Sequence, residues 1–317
     1  MKLRQMQCFI TTVDCDFNVA RAAATLHATP PAISKQLRLF EAELGFALFL
    51  RAGAKFVGLT RSGEKVLRWS RTALNAAKNI RKISEDARTE GRGKVVIATT
   101  YTHARYVLLE AIAEFRKRFP LAQFNLLQGT VSSVRKSVLA GKADFGISLE
   151  SSVPCDVDIV SQPFLELSQV VVAKPGHAIL TADCVTLEEL AKYPIIANAA
   201  SMEEVDRKFR DAGLSVDYVL EARDAEVMKS YASAGLGVAI IPAIAYSETT
   251  DTLLRARDLR QLFSPLVSSL LLRRESYLTR SALDFLELIS PRFNYDTIRS
   301  LLDERSSAND CHSLQSA

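Results

Sequence analysis

In the first sixty residues, apolar side chains fall at helical spacing three times over. Leu3, Met6, Ile10 and Val13 stand at i, i+3, i+7 and i+10 and predict one amphipathic helix. Asn18 is placed to cap a second helix, whose Val19, Ala22, Ala23 and Leu26 share a face. After a His27-Ala28 turn, Thr29 is placed to cap a third, with Pro30 at the first position, where its missing N–H costs nothing. The inner face of that helix is Ile33, Leu37, Phe40 and Leu44, and Gly45 closes it. Its outer face carries Pro31, Ser34, Lys35 and Arg38 at i, i+3, i+4 and i+7. The alanines at 22–24 let two helices cross closely, which leaves the third free to lay its first turns in a DNA major groove. On that reading Ser34 and Lys35 meet bases or phosphates, and Arg38 a phosphate. A three-helix bundle with a merely solvated basic face has the same pattern.

The runs Phe46–Arg51 and Phe56–Thr60 predict a β-hairpin with Gly53 and Lys55 between them, a wing on which Arg51 and Lys55 are phosphate-contact candidates. From Thr60 to about Ala87 no proline interrupts the chain, and Val66, Trp69, Ala73, Ala76, Ile80, Ile83 and Ala87 keep a 3–4 rhythm. That rhythm suits a helix pairing with a second helix, or equally one buried in a single domain. Glu90-Gly91-Arg92-Gly93 reads as a hinge. Beyond it, strand and helix patterns alternate. Strands at 94–98, 124–127 and 143–148 flank helices at 103–119 and from Thr130 to Gly141. A second series holds strands at 168–173, 194–197, 216–220 and 235–242, a helix at 224–234, and a helix opened by a Ser201–Glu204 capping box. A strand at 267–273 and a helix from about Thr279 to Ile289 return to the first series. Such alternation predicts two α/β lobes, with a ligand cleft between them.

Charge sharpens the division. Residues 1–90 hold 15 Lys and Arg against 8 Asp and Glu, and the remainder holds 25 against 28. A basic head on a slightly acidic body is the footprint of a nucleic-acid-binding end. Five scattered cysteines (Cys8, Cys15, Cys155, Cys184, Cys311) form no C-x-x-C pair, and the four histidines lie far apart, so no metal is expected, and a redox-sensing pair stays open. No apolar run is long enough to span a membrane, and no secretory signal opens the chain, which points to the cytoplasm. Nucleophile-elbow, zincin, Walker and dinucleotide motifs are missing, and Gly235-Leu236-Gly237 reads as a close-packing feature, so an enzyme is not expected.

Leu3, Phe9, Ala22-Ala23, Leu26, Pro31-Ala32-Ile33-Ser34, Leu44-Gly45, Leu48-Phe49, Arg51, Leu59-Thr60 and Gly63 together resemble the LysR-type winged-helix signature. Pro30 departs from it: the family often has Gln there, and proline has no hydrogen to donate to a base. Ile97-Ala98-Thr99-Thr100, Ala104-Arg105-Tyr106, Gln128-Gly129, Ala143-Asp144-Phe145, Asp224-Ala225-Glu226-Val227 and Gly235-Leu236-Gly237-Val238 resemble the CysB subgroup, regulators of sulfur assimilation, from Met1 to about Phe293.

The resemblance implies an α/β fold with an all-α-rich head: a winged helix-turn-helix at 1–60, a dimerisation helix and hinge at 61–90, and a two-lobed periplasmic-binding-protein-like (type 2) effector domain. Lobe 1 would take 91–166 and 267–293, lobe 2 would take 167–266, and 294–317 would be a mobile C-terminal extension. It implies DNA contact through Thr29, Pro30, Pro31, Ser34, Lys35, Arg38, Arg51 and Lys55, at promoter sites of approximate two-fold symmetry, by a homodimer or homotetramer working with RNA polymerase. It implies no cofactor. Thr100 and Thr102 match hydroxyls that hold sulfate or an acylated serine, at a helix start where free amides attract anions. His103, Gln128, Leu149, Leu167 and Ser201 complete the expected effector site. His103 stands in place of a Gln, Leu149 of a Thr and Leu167 of a Trp, so a hydrophobic organic anion suits the pocket better than inorganic sulfate. The targets implied are sulfur-acquisition or organosulfur genes, with an unrelated pathway as the alternative. A solute-binding protein shares the lobes but not the basic head.

Overall fold

The computed structural model describes residues 1–89, 93–149, 158–182, 184–199 and 201–303. The expected hinge at 90–92, Cys155, Cys311, His312 and the tail beyond Asp303 lie outside the described residues. Two compact units form, Met1–Ala87 and Arg88–Ala317.

In the first unit, α1 (Leu3–Asp14), α2 (Val19–Thr25) and α3 (Pro30–Leu44) pack around Phe9, Ile33, Leu37 and Phe40, all fully or almost fully buried. Ala22 and Ala23 are wholly buried, as close crossing requires. Asn18 caps α2 by accepting the Arg21 N–H at 3.0 Å. Thr29 stands at the N-cap of α3 but its side chain makes no capping bond. Pro31, at the second helical position, has removed one of the two donors such a cap would serve. Gly45 ends α3 at φ +78, a conformation a Cβ would strain. The hairpin of β1 (Phe49–Ala52) and β2 (Lys55–Leu59) follows.

Helix α4 (Arg61–Thr89) then begins against the head, with Val66, Leu67, Ala73 and Leu74 packed on its core. Between them Trp69 is 71% exposed, and farther along Ile80 is 69% exposed with Ile83 exposed near it. The 3–4 seam thus serves two purposes: Val66 and Ala73 touch the chain's own head, and the rest faces outward.

The second unit holds two five-stranded sheets. One has the order β4-β3-β5-β12-β6, built from β3 (Lys94–Thr99), β4 (Gln123–Gln128), β5 (Phe145–Leu149), β6 (Ile159–Leu167) and β12 (Leu266–Arg273). The other has the order β11-β7-β10-β8-β9, from β7 (Gln169–Ala173), β8 (Ile195–Asn198), β9 (Tyr218–Ala222), β10 (Val238–Pro242) and β11 (Arg255–Asp258). The chain leaves the first sheet at Leu167, enters the second at Gln169 and returns at Leu266. Helices α5 (Leu108–Arg118), α6 (Val131–Leu139) and α11 (Arg280–Ile289) cover the first sheet, and α9 (Met202–Asp211) and α10 (Ala225–Ala234) the second, where α7 (Ala178–Thr181) and α8 (Leu187–Leu190) are single turns. The core of the first is Ile97, Leu108, Phe115, Phe145, Leu270 and Phe285, and that of the second includes Val171, Ile195, Phe209 and Ile240.

Residues 295–303, placed above in a mobile extension, form α12 (Tyr295–Asp303), whose buried Ile298 joins the first core with Leu301 and Leu302 beside it. Gly237 is a close-packing glycine: a Cβ there would stand 2.3 Å from the Pro194 carbonyl oxygen.

Candidate functional site

Where the two sheets of the second unit face each other lies a cleft of about 340 Å³. One wall is the connection from β3 into the helix that ends as α5. Two α-helical residues, Tyr101 and Thr102, lead into a π-turn over His103–Val107, wider than an α-turn, a feature that recurs at functional sites. Thr100, Tyr101, Thr102 and His103 all line the cleft. Thr102 makes no side-chain capping bond, so its hydroxyl is not consumed by the helix start it sits beside. The first amides of a helix lack intrahelical partners, and the macrodipole favours negative charge there.

His103 is almost completely buried, and both its ring nitrogens are engaged. Nδ1 lies 2.6 Å from Thr100 Oγ1, and Nε2 lies 2.7 Å from Ser268 Oγ on β12. Burial strips water from the imidazolium form and holds the pKa down at about 4. The ring is therefore neutral at physiological pH.

The next element contributes Gly129, Thr130, Val131 and Ser132 at the start of α6, where Thr130 caps by accepting the Ser133 N–H. Leu149, Leu167, Leu266 and Pro242 form the apolar wall. From the second sheet come Asn198, Ser201, Glu221 and Arg223. Among the described residues Arg223 is the one Lys or Arg that lines the cleft, and Glu221 the one carboxylate. The expected Ser201–Glu204 capping box does not form. Ser201 sits at the N-cap with helical backbone, and its hydroxyl turns back 3.5 Å from the Asn198 carbonyl, facing the cleft instead of α9.

Of the effector-site residues expected from sequence, Thr100, Thr102, His103, Leu149, Leu167 and Ser201 come together, whereas Gln128 is exposed at the end of β4 and does not line the cleft. Sequence reasoning missed Asn198, Glu221, Arg223, Leu266 and Ser268. Only the pair Ser268-Ser269 gave a signal, as two hydroxyls inside an apolar strand.

The same helical wall touches α10 of the second sheet. Tyr106 donates its hydroxyl to Glu226 on α10, and Arg105 lies 3.4 Å from the same carboxylate. Buried Lys229 donates to Glu226 at 2.6 Å, to Asp251 at 2.9 and 3.0 Å, and to the Ala245 carbonyl at 2.9 Å. Burial, and then the hydrogen bond to Glu226, raise the pKa of the Tyr106 hydroxyl to about 12. Among the described residues no three His, Cys, Asp or Glu side chains are grouped to hold a metal ion, and no helix is long and apolar enough to cross a membrane.

In the first unit, Thr29, Pro30, Pro31, Lys35 and Arg38 are exposed and Ser34 half-buried on one face of α3. Arg51 is held at 2.6 Å by Glu41 Oε2, while Glu41 Oε1 accepts the Leu48 and Phe49 amides. The Arg51 guanidinium also lies over the Phe56 ring. Arg51 thus ties the wing to α3 from within the head. Lys55, at the hairpin tip, is exposed.

A family profile described as the LysR substrate binding domain matches residues 88–294, and one described as the lysR-family regulatory helix-turn-helix matches residues 3–64. The chain belongs to the LysR family. This LysR-type chain is a DNA-binding transcriptional regulator and not an enzyme. Its curated relatives include the regulator SsuR of Burkholderia cenocepacia, 34% identical over 96% of this chain and 99% of that one. CysB of the same organism is 34% identical over 95% of this chain and 97% of its own length. CysB of Haemophilus influenzae is 31% identical over 99% and 97%. Among solved structures, the cofactor-binding domain of the Cbl transcriptional regulator covers 67% of this chain and 94% of its own, with a TM-score of 0.62 and 30% identity.

Proposed function

We propose that this LysR-type regulator binds a small organic anion with an apolar body in the inter-lobe cleft, and in response alters its control of sulfur-acquisition or organosulfur genes. The observation that carries the reading is the cleft itself. Thr100 and Thr102 stand at a helix start with Arg223 on the lining, while Leu149, Leu167, Leu266 and Pro242 give the rest an apolar surface. Hydroxyls and amides at one end suit oxyanion acceptors, and the leucines replace further anion ligands with wall for an apolar group. The similarity along nearly the whole chain to SsuR and CysB supports the choice of pathway.

The exposed stripe Trp69, Ile80 and Ile83 on α4 supports pairing of two copies into a dimer, or of two dimers into a tetramer. Two heads then meet a promoter site of approximate two-fold symmetry, with Pro31, Ser34, Lys35 and Arg38 in the major groove and Thr29, Pro30, Arg51 and Lys55 near the backbone. Effector binding selects one arrangement of the lobes and so biases the geometry presented to DNA and RNA polymerase in the cytoplasm.

Genome-wide occupancy of the tagged protein, with and without sulfate starvation, tests this. Starvation-dependent peaks beside sulfur-acquisition genes are expected. Peaks elsewhere, unchanged by starvation, would overturn the pathway assignment.

A further inference from the structure

Thr100 and His103 on the cleft wall and Ser268 behind them form a chain whose direction is determined by hydrogen-bond accounting. Ser268 on β12 is fully buried, and among the described residues its hydroxyl has one partner, His103 Nε2. If Nε2 carried the proton, Ser268 would accept it and leave its own hydrogen buried without an acceptor. A buried donor without a partner is costly, so Ser268 donates and Nε2 accepts. A neutral imidazole has one N–H, and it then sits on Nδ1. Nδ1 donates to Thr100 Oγ1 at 2.6 Å. Thr100 thereby accepts from behind, and its hydrogen is released on the cleft side.

We infer that Ser268 and His103 form a directional relay that fixes Thr100 as a donor into the cleft, so that the effector must present a hydrogen-bond acceptor there, a role best filled by a sulfonate or carboxylate oxygen. The inference rests on the cleft being the effector site. His103 acts through Thr100 and is a positioning residue. The opposite tautomer would spend the Thr100 hydrogen on Nδ1 and turn only lone pairs towards the ligand, which repels an anion. A relay of this kind discriminates strongly, because a ligand donor facing the Thr100 hydrogen leaves both unpaired in a partly desolvated site. A neutral amide or protonated acid of the same shape can still offer a carbonyl oxygen to Thr100, but without the charge it binds more weakly, because hydrogen bonds to an ionised acceptor are the stronger ones.

Two measurements on the full-length protein test it. Long-range proton–nitrogen spectra of the 15N-labelled protein report which nitrogen carries hydrogen, and the His103 signals are those lost in His103→Gln. Protonation on Nδ1 is expected, whereas protonation on Nε2 overturns the relay whatever the cleft binds. Calorimetry then uses benzenesulfonate, benzoate and benzenesulfonamide as probes. At least one anion should bind more tightly than the sulfonamide. Ser268→Ala should weaken it about tenfold, about 1.4 kcal/mol, and Ser268→Thr should restore it. Thr100→Val should weaken it at least as much.

The outcomes separate the two ideas. Unchanged binding in Thr100→Val removes the cleft reading. Weakened binding in Thr100→Val with none in Ser268→Ala removes the relay and keeps the cleft. Failure of both anions to bind the native protein overturns the oxyanion assignment.

Discussion

The buried imidazole makes a sharp prediction about acid stability. His103 titrates near 6.5 when unfolded and at about 4 in the fold, because burial disfavours its charged form. Between those values the unfolded chain binds a proton that the folded chain refuses. Stability from this group is therefore complete above pH 6.5 and is lost as pH falls towards 4. Integrated to pH 4.5, the difference between the two titrations is about 2.5 kcal/mol. His103→Gln keeps a donor and an acceptor for Ser268 and Thr100 but does not titrate. Urea unfolding from pH 7.5 to 4.5 should thus show the native protein losing about 1 M more in midpoint than the variant, for a slope of 2–3 kcal/mol/M. Carboxylates add an acid slope of their own, shared by both proteins, so the difference between them isolates the histidine. Parallel pH profiles would refute the reasoning and place a charged or hydrated imidazole behind the cleft.

Other expectations follow from the same contacts. Lys229→Met leaves Asp251 with the Ser247 amide as its remaining described donor and should cost about 3 kcal/mol; the double variant with Asp251→Asn should cost less than the sum, and additive losses in urea unfolding would dismiss the pair as a unit. Lys35→Ala and Arg38→Ala should each weaken DNA binding and lower the salt slope by about 1, whereas Ser34→Ala should change sequence preference with the slope kept; fluorescence anisotropy across salt concentrations distinguishes these, and unaltered slopes would remove both cations from the interface. Ile80→Glu, at a site 69% exposed, should shift sedimentation towards monomer without loss of helicity, and an unchanged profile would take that face of α4 out of the assembly.

How far the sequence could be read depended on local periodicity. The three head helices, the wing and most core strands carry regular apolar spacing, and they form where that spacing puts them. Strand β6 does not, because Pro163 interrupts it. The register slips where Ser268 faces Leu165 and Ser269 faces Pro163, so Phe164 is an extra residue in a bulge that accommodates the proline. Strand β11 is the polar edge run Arg255–Asp258 and shows no alternation. Helix α12 was detectable from Ile298, Leu301 and Leu302, but Pro291 and a polar neighbourhood masked it. In the cleft, residues next to Thr100 were legible because the helix start is local. Arg223, Glu221, Leu266 and Ser268 were not, since only the crossovers bring them there. The Ser201 hydroxyl misled, because a capping pattern says nothing about a neighbouring carbonyl that turns the side chain away.

The position of β12 has a consequence for synthesis of the chain. It sits between β5 and β6 at the interior of the first sheet, yet it leaves the ribosome roughly a hundred residues after β6, once the whole second sheet has emerged. Until then β5 and β6 have no hydrogen-bonding neighbour between them, while the contiguous stretch from Gln169 to Asp258 holds every strand of its own sheet. The later lobe is thus able to close first, and the earlier one waits for the strand that joins β5 to β6, with its edges open to other chains. A nonsense mutation ahead of Leu266 would release a nascent product with one finished lobe and one unpaired, aggregation-prone half-sheet. Because Ser268 rides on β12, the donor chain behind Thr100 is also among the last parts of the protein to be assembled.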